Sequence, residues 1–127
     1  MCPTVRTDRR YLETHEWARR KGNYTRIGIT DFVQSELGEI VFVELPSVGE
    51  YIDSGSAFSV IESVKSISDV YAPISGVITN INYSVVENPT LLNNDPFDDG
   101  WMIEIDPNDT TEFEELLLPG AYESQIM

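Results

Sequence analysis

Only two lysines occur in the 127 residues of this chain, Lys21 and Lys65, and the second lies in a segment that could carry chemistry. It stands in Glu62-Ser63-Val64-Lys65-Ser66-Ile67-Ser68-Asp69, between two runs with strand character. Residues 57–61 carry Phe58, Val60 and Ile61, and residues 70–81 are rich in β-branched side chains and punctuated by Pro73 and Gly76. Lys65 is therefore expected at or near a hairpin tip. A lysine in that position is a poor nucleophile, because only desolvation would lower its pKa enough for amine or Schiff-base chemistry. Its amine is instead held clear of the sheet, where an enzyme can acylate it and a long acyl arm can then move. The spacing suits a carrier.

Nothing else in the chain completes a catalytic set. His15 is the only histidine and Cys2 the only cysteine, so a histidine cluster for zinc and an internal disulfide are both excluded. Cys2 reads as an incidental terminal thiol, and a single cysteine suits a reducing compartment. No glycine-rich phosphate loop follows a strand. Acidic residues number 22 against 8 basic ones, a formal net charge of -14, so electrostatics oppose nucleic acid and anionic membrane surfaces. No apolar run approaches the roughly 20 residues that cross a bilayer, and no secretion signal follows the basic start. An acidic surface can steer encounter with basic patches on partner enzymes, over about 8 Å at physiological salt.

The elements that must position Lys65 are mostly β. Residues 15–18 and 24–29 read as an opening hairpin around Lys21-Gly22-Asn23. A short helix over 30–37 follows, with Thr30 as N-cap, Asp31 in its first turn and Gly38 as the C-terminal stop. Residues 39–45 alternate out of a single phase, which predicts a bulge or a strand buried on both faces. Gly49 and Gly76 are expected as turn residues that tolerate positive φ. Residues 85–96 read as a loop or short helical turn packed on the body, and 101–105 as a last strand. Asp109 and Glu112 form a capping-box-like pair ahead of Phe113, Leu116 and Leu117, which predicts a helix over 109–118 ended by Pro119-Gly120. Trp17 and Trp101 are expected to pack the core, with Trp17 also able to line a groove for the arm. Residues 1–10 are expected to be a flexible N-terminal segment and 11–127 a single domain that includes the C-terminal helix.

Glu62-Ser63-Val64-Lys65 resembles the lipoyl-lysine motif of the glycine cleavage system H proteins. The match extends in serial order through His15-Glu16-Trp17, residues 27–31, residues 37–46, Val48-Gly49, residues 68–76, Asn80, Asn82, Asn93 and Gly100-Trp101. The resemblance implies a mainly β, lipoyl-domain-like barrel-sandwich hybrid of two small sheets with short flanking helices. It implies a carrier protein, with no catalysis of its own, bearing lipoate in amide linkage on Lys65. The cofactor does the hard chemistry and the protein positions it.

The same resemblance implies three partners visited in turn. A glycine decarboxylase loads an aminomethyl group on the arm, a tetrahydrofolate-dependent aminomethyltransferase removes it, and a dihydrolipoyl dehydrogenase reoxidises the arm. A lipoate ligase or lipoyl transferase must first modify Lys65, and Glu62, three residues before it, is expected to help that enzyme recognise the hairpin. The cargo bears an ammonium that carboxylates would hold. The matching positions are Thr14, Glu16 and Asp69, with the two carboxylates accepting from the ammonium and the Thr14 hydroxyl assisting. The expected compartment is the mitochondrial matrix in a eukaryote or the cytoplasm in a bacterium. A biotin carrier is disfavoured, because Val64 and Ser66 stand where methionines would flank the lysine. A lipoyl domain of a 2-oxoacid dehydrogenase is disfavoured by the residue before the lysine and by the absence of a long linker. A lipoate donor or relay for other lipoylated complexes would carry the same motif and stays open.

Overall fold

The computed structural model describes residues 3–127, so Cys2 lies outside the described residues. Among the described residues nine strands form two antiparallel sheets, flanked by five short helices. The strands are β1 (Arg10–Tyr11), β2 (Glu16–Lys21), β3 (Tyr24–Ile29), β4 (Ile40–Glu44), β5 (Tyr51–Ile52), β6 (Ala57–Ser63), β7 (Ile67–Tyr71), β8 (Gly76–Ile81) and β9 (Ile103–Pro107). The helices are α1 (Asp31–Leu37), α2 (Tyr83–Glu87), α3 (Leu91–Asn94), α4 (Thr111–Glu114) and α5 (Pro119–Ile126). The larger sheet has the order β1-β2-β3-β9-β8-β5 and the smaller one β4-β6-β7. Ala18, Ile27, Ile78 and Ile105 from the first meet Ile40, Val43, Ile61 and Val70 from the second in one buried cluster. This is the expected sandwich of two small sheets, stabilised by roughly 25 cal/mol for each Å² of apolar surface that the two inner faces take from water.

Local sequence accounts for most of the elements. Lys21 pairs with Tyr24 across the two-residue turn Gly22-Asn23, closing the opening hairpin. Thr30 caps α1, its hydroxyl accepting from the Val33 amide at 3.4 Å, and Gly38 ends that helix at φ 79. The register of β4 against β6 shifts between Ile40 and Phe42, the bulge predicted from the broken alternation. Gly49 has φ 96, as a turn residue should. Gly76 lies within β8 without positive φ, and what it supplies is room, since a Cβ there would run into the Asp106 carbonyl on β9. The last strand begins two residues later than predicted and buries Ile103, Glu104 and Ile105 alike, because Arg26 neutralises Glu104 at 2.7 Å.

The C-terminal region corrects the predicted 109–118 helix. Only a single turn, α4, forms there. Asp109 spends its carboxylate on the amide and hydroxyl of Thr111, at 2.9 and 2.8 Å, and Glu112 reaches across to the amide and hydroxyl of Ser75, at 2.8 and 3.0 Å. Asp109 thus serves the first turn as a cap does, but Glu112 is drawn away to Ser75, and after that one turn the backbone extends. Leu117 exchanges two hydrogen bonds with Tyr11 as an isolated bridge. Pro119 then opens α5 where it was expected to close a helix, because the first turn of a helix has no use for the amide that proline lacks.

The N-terminal segment, expected to be flexible over residues 1–10, touches the body at several points from Thr4 onward. The Thr4 amide donates to Asp31 and the Arg6 guanidinium pairs with Asp98. Arg9 is fully enclosed: its guanidinium lies 4.5 Å from the centre of the Trp17 ring, donates to the Phe97 carbonyl at 2.6 Å and pairs with Asp8 at 2.8 Å. A charge so placed is held by cation–π attraction and hydrogen bonds together. Composition showed the arginines as a basic start and gave no sign of the aromatic cage.

Candidate functional site

Lys65 sits where the hairpin reading put it. Strands β6 and β7 are joined by a tight turn closed by the Ser63 amide donating to the Ser66 carbonyl at 2.8 Å. The Ser63 hydroxyl accepts from the amides of Lys65 and Ser66, at 3.2 and 3.1 Å, so the turn is fixed by a serine side chain. The tip is also pinned sideways, the Val64 amide donating to the Glu39 carbonyl at 3.0 Å. The aliphatic stem of Lys65 passes over Gly38, and a Cβ on that glycine would lie 3.6 Å from Lys65 Cε. Beneath, Asn93 on α3 braces the elbow between α1 and β4. Its amide group donates to Gly38 and Gln34, at 2.8 and 3.0 Å, while its carbonyl accepts from the Ile40 amide at 2.9 Å.

A fixed backbone thus presents a free amine. Lys65 is exposed, and among the described residues no carboxylate comes within 4.0 Å of its ammonium. Exposed apolar side chains flank it: Val64 and Ile67 are 67% and 69% exposed, and Val41 and Phe42 on β4 are about half exposed. Glu62 lies beside Lys65, lining the same shallow depression with Val41, Ser63, Ser66 and Ile67. An open amine flanked by apolar side chains fits an amide-linked acyl chain such as lipoate. It fits neither a buried Schiff-base lysine nor a metal site, and no group of three or more potential metal-binding side chains occurs among the described residues.

The second cluster is built on Glu16, at the start of β2. This carboxylate is 2% exposed. Oε1 accepts from the Thr14 hydroxyl at 2.5 Å and Oε2 from the Tyr71 amide on β7 at 2.9 Å. Burial pushes the Glu16 carboxyl up to about 7, against the opposing pull of those two hydrogen bonds. Asp69 stands two residues before Tyr71 on the same face of β7 and is exposed. Thr14 and Glu16 are therefore in direct contact, Glu16 is tied to β7, and Asp69 rises from that strand between Glu16's anchor and the Lys65 turn. The four residue steps from Lys65 to Asp69 span at most about 14 Å of chain. Trp17 points away from this surface, completely buried, with its indole N–H donating to the Pro96 carbonyl at 3.0 Å. Trp101 is half-buried beneath the Arg26 guanidinium.

Sequence reasoning missed Ser63, Gly38 and Asn93 as the parts that hold the Lys65 turn. Ser63 had a local signal, a hydroxyl two residues before the lysine in a hairpin turn. Asn93 stood among the residues of the family resemblance but had no local signal for this role, since its partners lie 53 to 59 residues away.

Two packed antiparallel sheets with a lysine on a braced, exposed hairpin define a lipoyl-type carrier domain. The family model described as glycine cleavage H-protein matches residues 9–127. A probable glycine cleavage system H protein of Natronomonas pharaonis is 52% identical over 122 residues, covering 96% of each chain. The glycine cleavage system H protein of Carboxydothermus hydrogenoformans is 50% identical over 122 residues, covering 96% of this chain and 94% of its own. The crystal structure of a glycine cleavage system H protein from Mycobacterium marinum superposes with a TM-score of 0.88 at 35% identity, covering 95% of this chain and 98% of that one. The chain belongs to the glycine cleavage H-protein family, the lipoyl carrier of the glycine cleavage system. No helix among the described residues is long and apolar enough to cross a membrane.

Proposed function

We propose that Lys65 is the lipoyl attachment residue and that this chain works as the carrier of a glycine cleavage system. The observation that carries the reading is the free Lys65 amine on a turn fixed by Ser63 and Glu39, with apolar side chains on both flanks. Bound there, lipoate supplies a dithiolane whose sulfurs take up and release a one-carbon aminomethyl group and exchange electrons. The chain supplies the rest. The rigid turn keeps the attachment point at a constant height above the sheet, and tethering raises the effective concentration of the arm in each partner's active site. Partners in this reading are glycine decarboxylase, the aminomethyltransferase and dihydrolipoyl dehydrogenase, with a lipoate ligase or lipoyl transferase acting first. Glu62 offers that last enzyme a carboxylate at the rim of the depression beside Lys65.

Thr14, Glu16 and Asp69 form the resting place for the cargo's ammonium in this account. Glu16 is held ready by Thr14 and Tyr71, and an arriving cation would favour its ionised form and draw the Thr14 hydroxyl into the same contact. Asp69 adds a second carboxylate from β7. Of the three, Glu16 is the one already shielded from water, at 2% exposure. Glu16→Ala and Asp69→Ala are each expected to shorten the lifetime of the loaded carrier several-fold; unchanged lifetimes in both would remove these residues from the pocket. Carrier and relay roles separate in one assay: lipoylated protein should support exchange of labelled bicarbonate into glycine by the decarboxylase. A lipoylated protein that fails there yet passes lipoate to a second apo-protein would be a relay.

A further inference from the structure

We propose that Tyr122, on the C-terminal helix α5, is a positioning residue for the arm pocket, holding His15 in a left-handed conformation and thereby seating Thr14 and Glu16. This inference rests on the pocket reading above. His15 lies between the two pocket residues in sequence, and it is the one non-glycine residue with positive φ among those described, at 80°. A side chain in that region of backbone space is disfavoured, so surrounding contacts must hold it.

Those contacts converge on one hydroxyl. The Tyr122 oxygen lies 2.8 Å from His15 Nδ1 and 2.8 Å from Thr30 Oγ1, the cap of α1. In either tautomer the three groups form a continuous hydrogen-bonded run. The Tyr122 ring is completely buried, stacks on Tyr11 at 4.5 Å with an 8° tilt, and meets the imidazole edge-on at 5.7 Å. Phe32 also packs against the imidazole, ring centre to ring centre 4.7 Å. Two backbone bonds finish the elbow, His15 to the Leu12 carbonyl at 3.0 Å and Thr30 to the His15 carbonyl at 3.1 Å. Burial keeps His15 below and Tyr122 above their ordinary pKa values, the tyrosine at about 12, so neither charges near neutral pH and the run stays intact. A residue 107 positions away in sequence therefore decides how Thr14 and Glu16 are presented. With the elbow released, Glu16 loses its place in the interior and meets water.

The test needs no arm. Side-chain carboxyl NMR on the unlipoylated chain should show Glu16 titrating near pH 7. In Tyr122→Phe, which keeps the ring and its stack, the midpoint should fall by about one pH unit or more toward the ordinary glutamate range. His15→Ala removes the other end of the same contact and should give the same fall, and the double variant should add nothing further. Tyr11→Phe loses a hydrogen bond in the same stack, to the Arg6 carbonyl, and should leave the Glu16 midpoint in place. An unshifted midpoint in Tyr122→Phe, a shift of equal size in Tyr11→Phe, or additive shifts in the double variant would overturn the proposal. The lifetime of the loaded carrier separates the two ideas. If Glu16→Ala and Asp69→Ala both leave it unchanged the pocket reading fails, whereas the titration judges the Tyr122 contact by itself.

Discussion

The backbone amide of Tyr71 donates to Glu16 Oε2 at 2.9 Å, joining strands from the two sheets across 55 residues of sequence. This one bond places a buried carboxylate beside the strand that leads from the Lys65 turn. It also makes Glu16 a group whose protonation is coupled to folding.

That coupling has a definite sign. The Glu16 carboxyl moves from an ordinary 4.5 up to about 7, driven by burial. Between those values the folded chain binds more protons than the unfolded one, so stability falls as pH rises across the window and levels off above it. The proton's stabilising effect is complete below about pH 4.5 and gone above about pH 7, and the shift corresponds to about 3 kcal/mol at most. Glutamine at this position keeps an acceptor for Tyr71 and a partner for Thr14 but has no proton to lose. Urea unfolding near pH 5 and near pH 7.5 should therefore show Glu16→Gln gaining about 2 to 3 kcal/mol on the parent protein between the two conditions. A constant difference would contradict the buried placement.

Arg9 and Arg6 look alike in sequence and differ in the fold. Arg9→Ala should cost about 3 kcal/mol, since it empties the space between Trp17 and Phe97 and strips the Phe97 carbonyl of its donor. Arg6→Ala removes a half-exposed pair with Asp98 and should cost under about 1 kcal/mol. Equal costs, read from chemical denaturation, would mean that the N-terminal segment is not packed as described.

Asn93→Ala should act at a distance from its own position. It leaves the Ile40 amide and the Gly38 carbonyl without their partners, which costs about 2 kcal/mol. Amide exchange at Ile40 and Val64 should accelerate, because Val64 is tied to Glu39 on the same elbow. Acceleration confined to α3 would show that Asn93 does not brace the Lys65 turn.

The parts of this fold that could be read from sequence are those fixed by local chemistry. Thr30 as cap, Gly38 as stop, the Gly22-Asn23 turn and the β4 bulge each depend on a few adjacent residues. The Lys65 turn belongs with them. The 109–118 helix failed because two of its residues have partners far away in sequence: Glu112 is drawn to Ser75, and Leu117 pairs with Tyr11. The Arg9 cage and the His15–Tyr122 contact escaped for the same reason, each joining segments about 90 or more residues apart. Glu16 entered as a candidate through resemblance alone. Its burial was not legible, because strand alternation cannot tell that β7, 55 residues away in sequence, meets the start of β2.

The most direct test of the central claim is intact mass and peptide mapping after incubation with a lipoate ligase, lipoate and ATP, with Lys65→Arg alongside. The account predicts one lipoyl adduct, located on Lys65 and absent from the variant. An adduct on Lys21, or a folded protein that takes none, would contradict it.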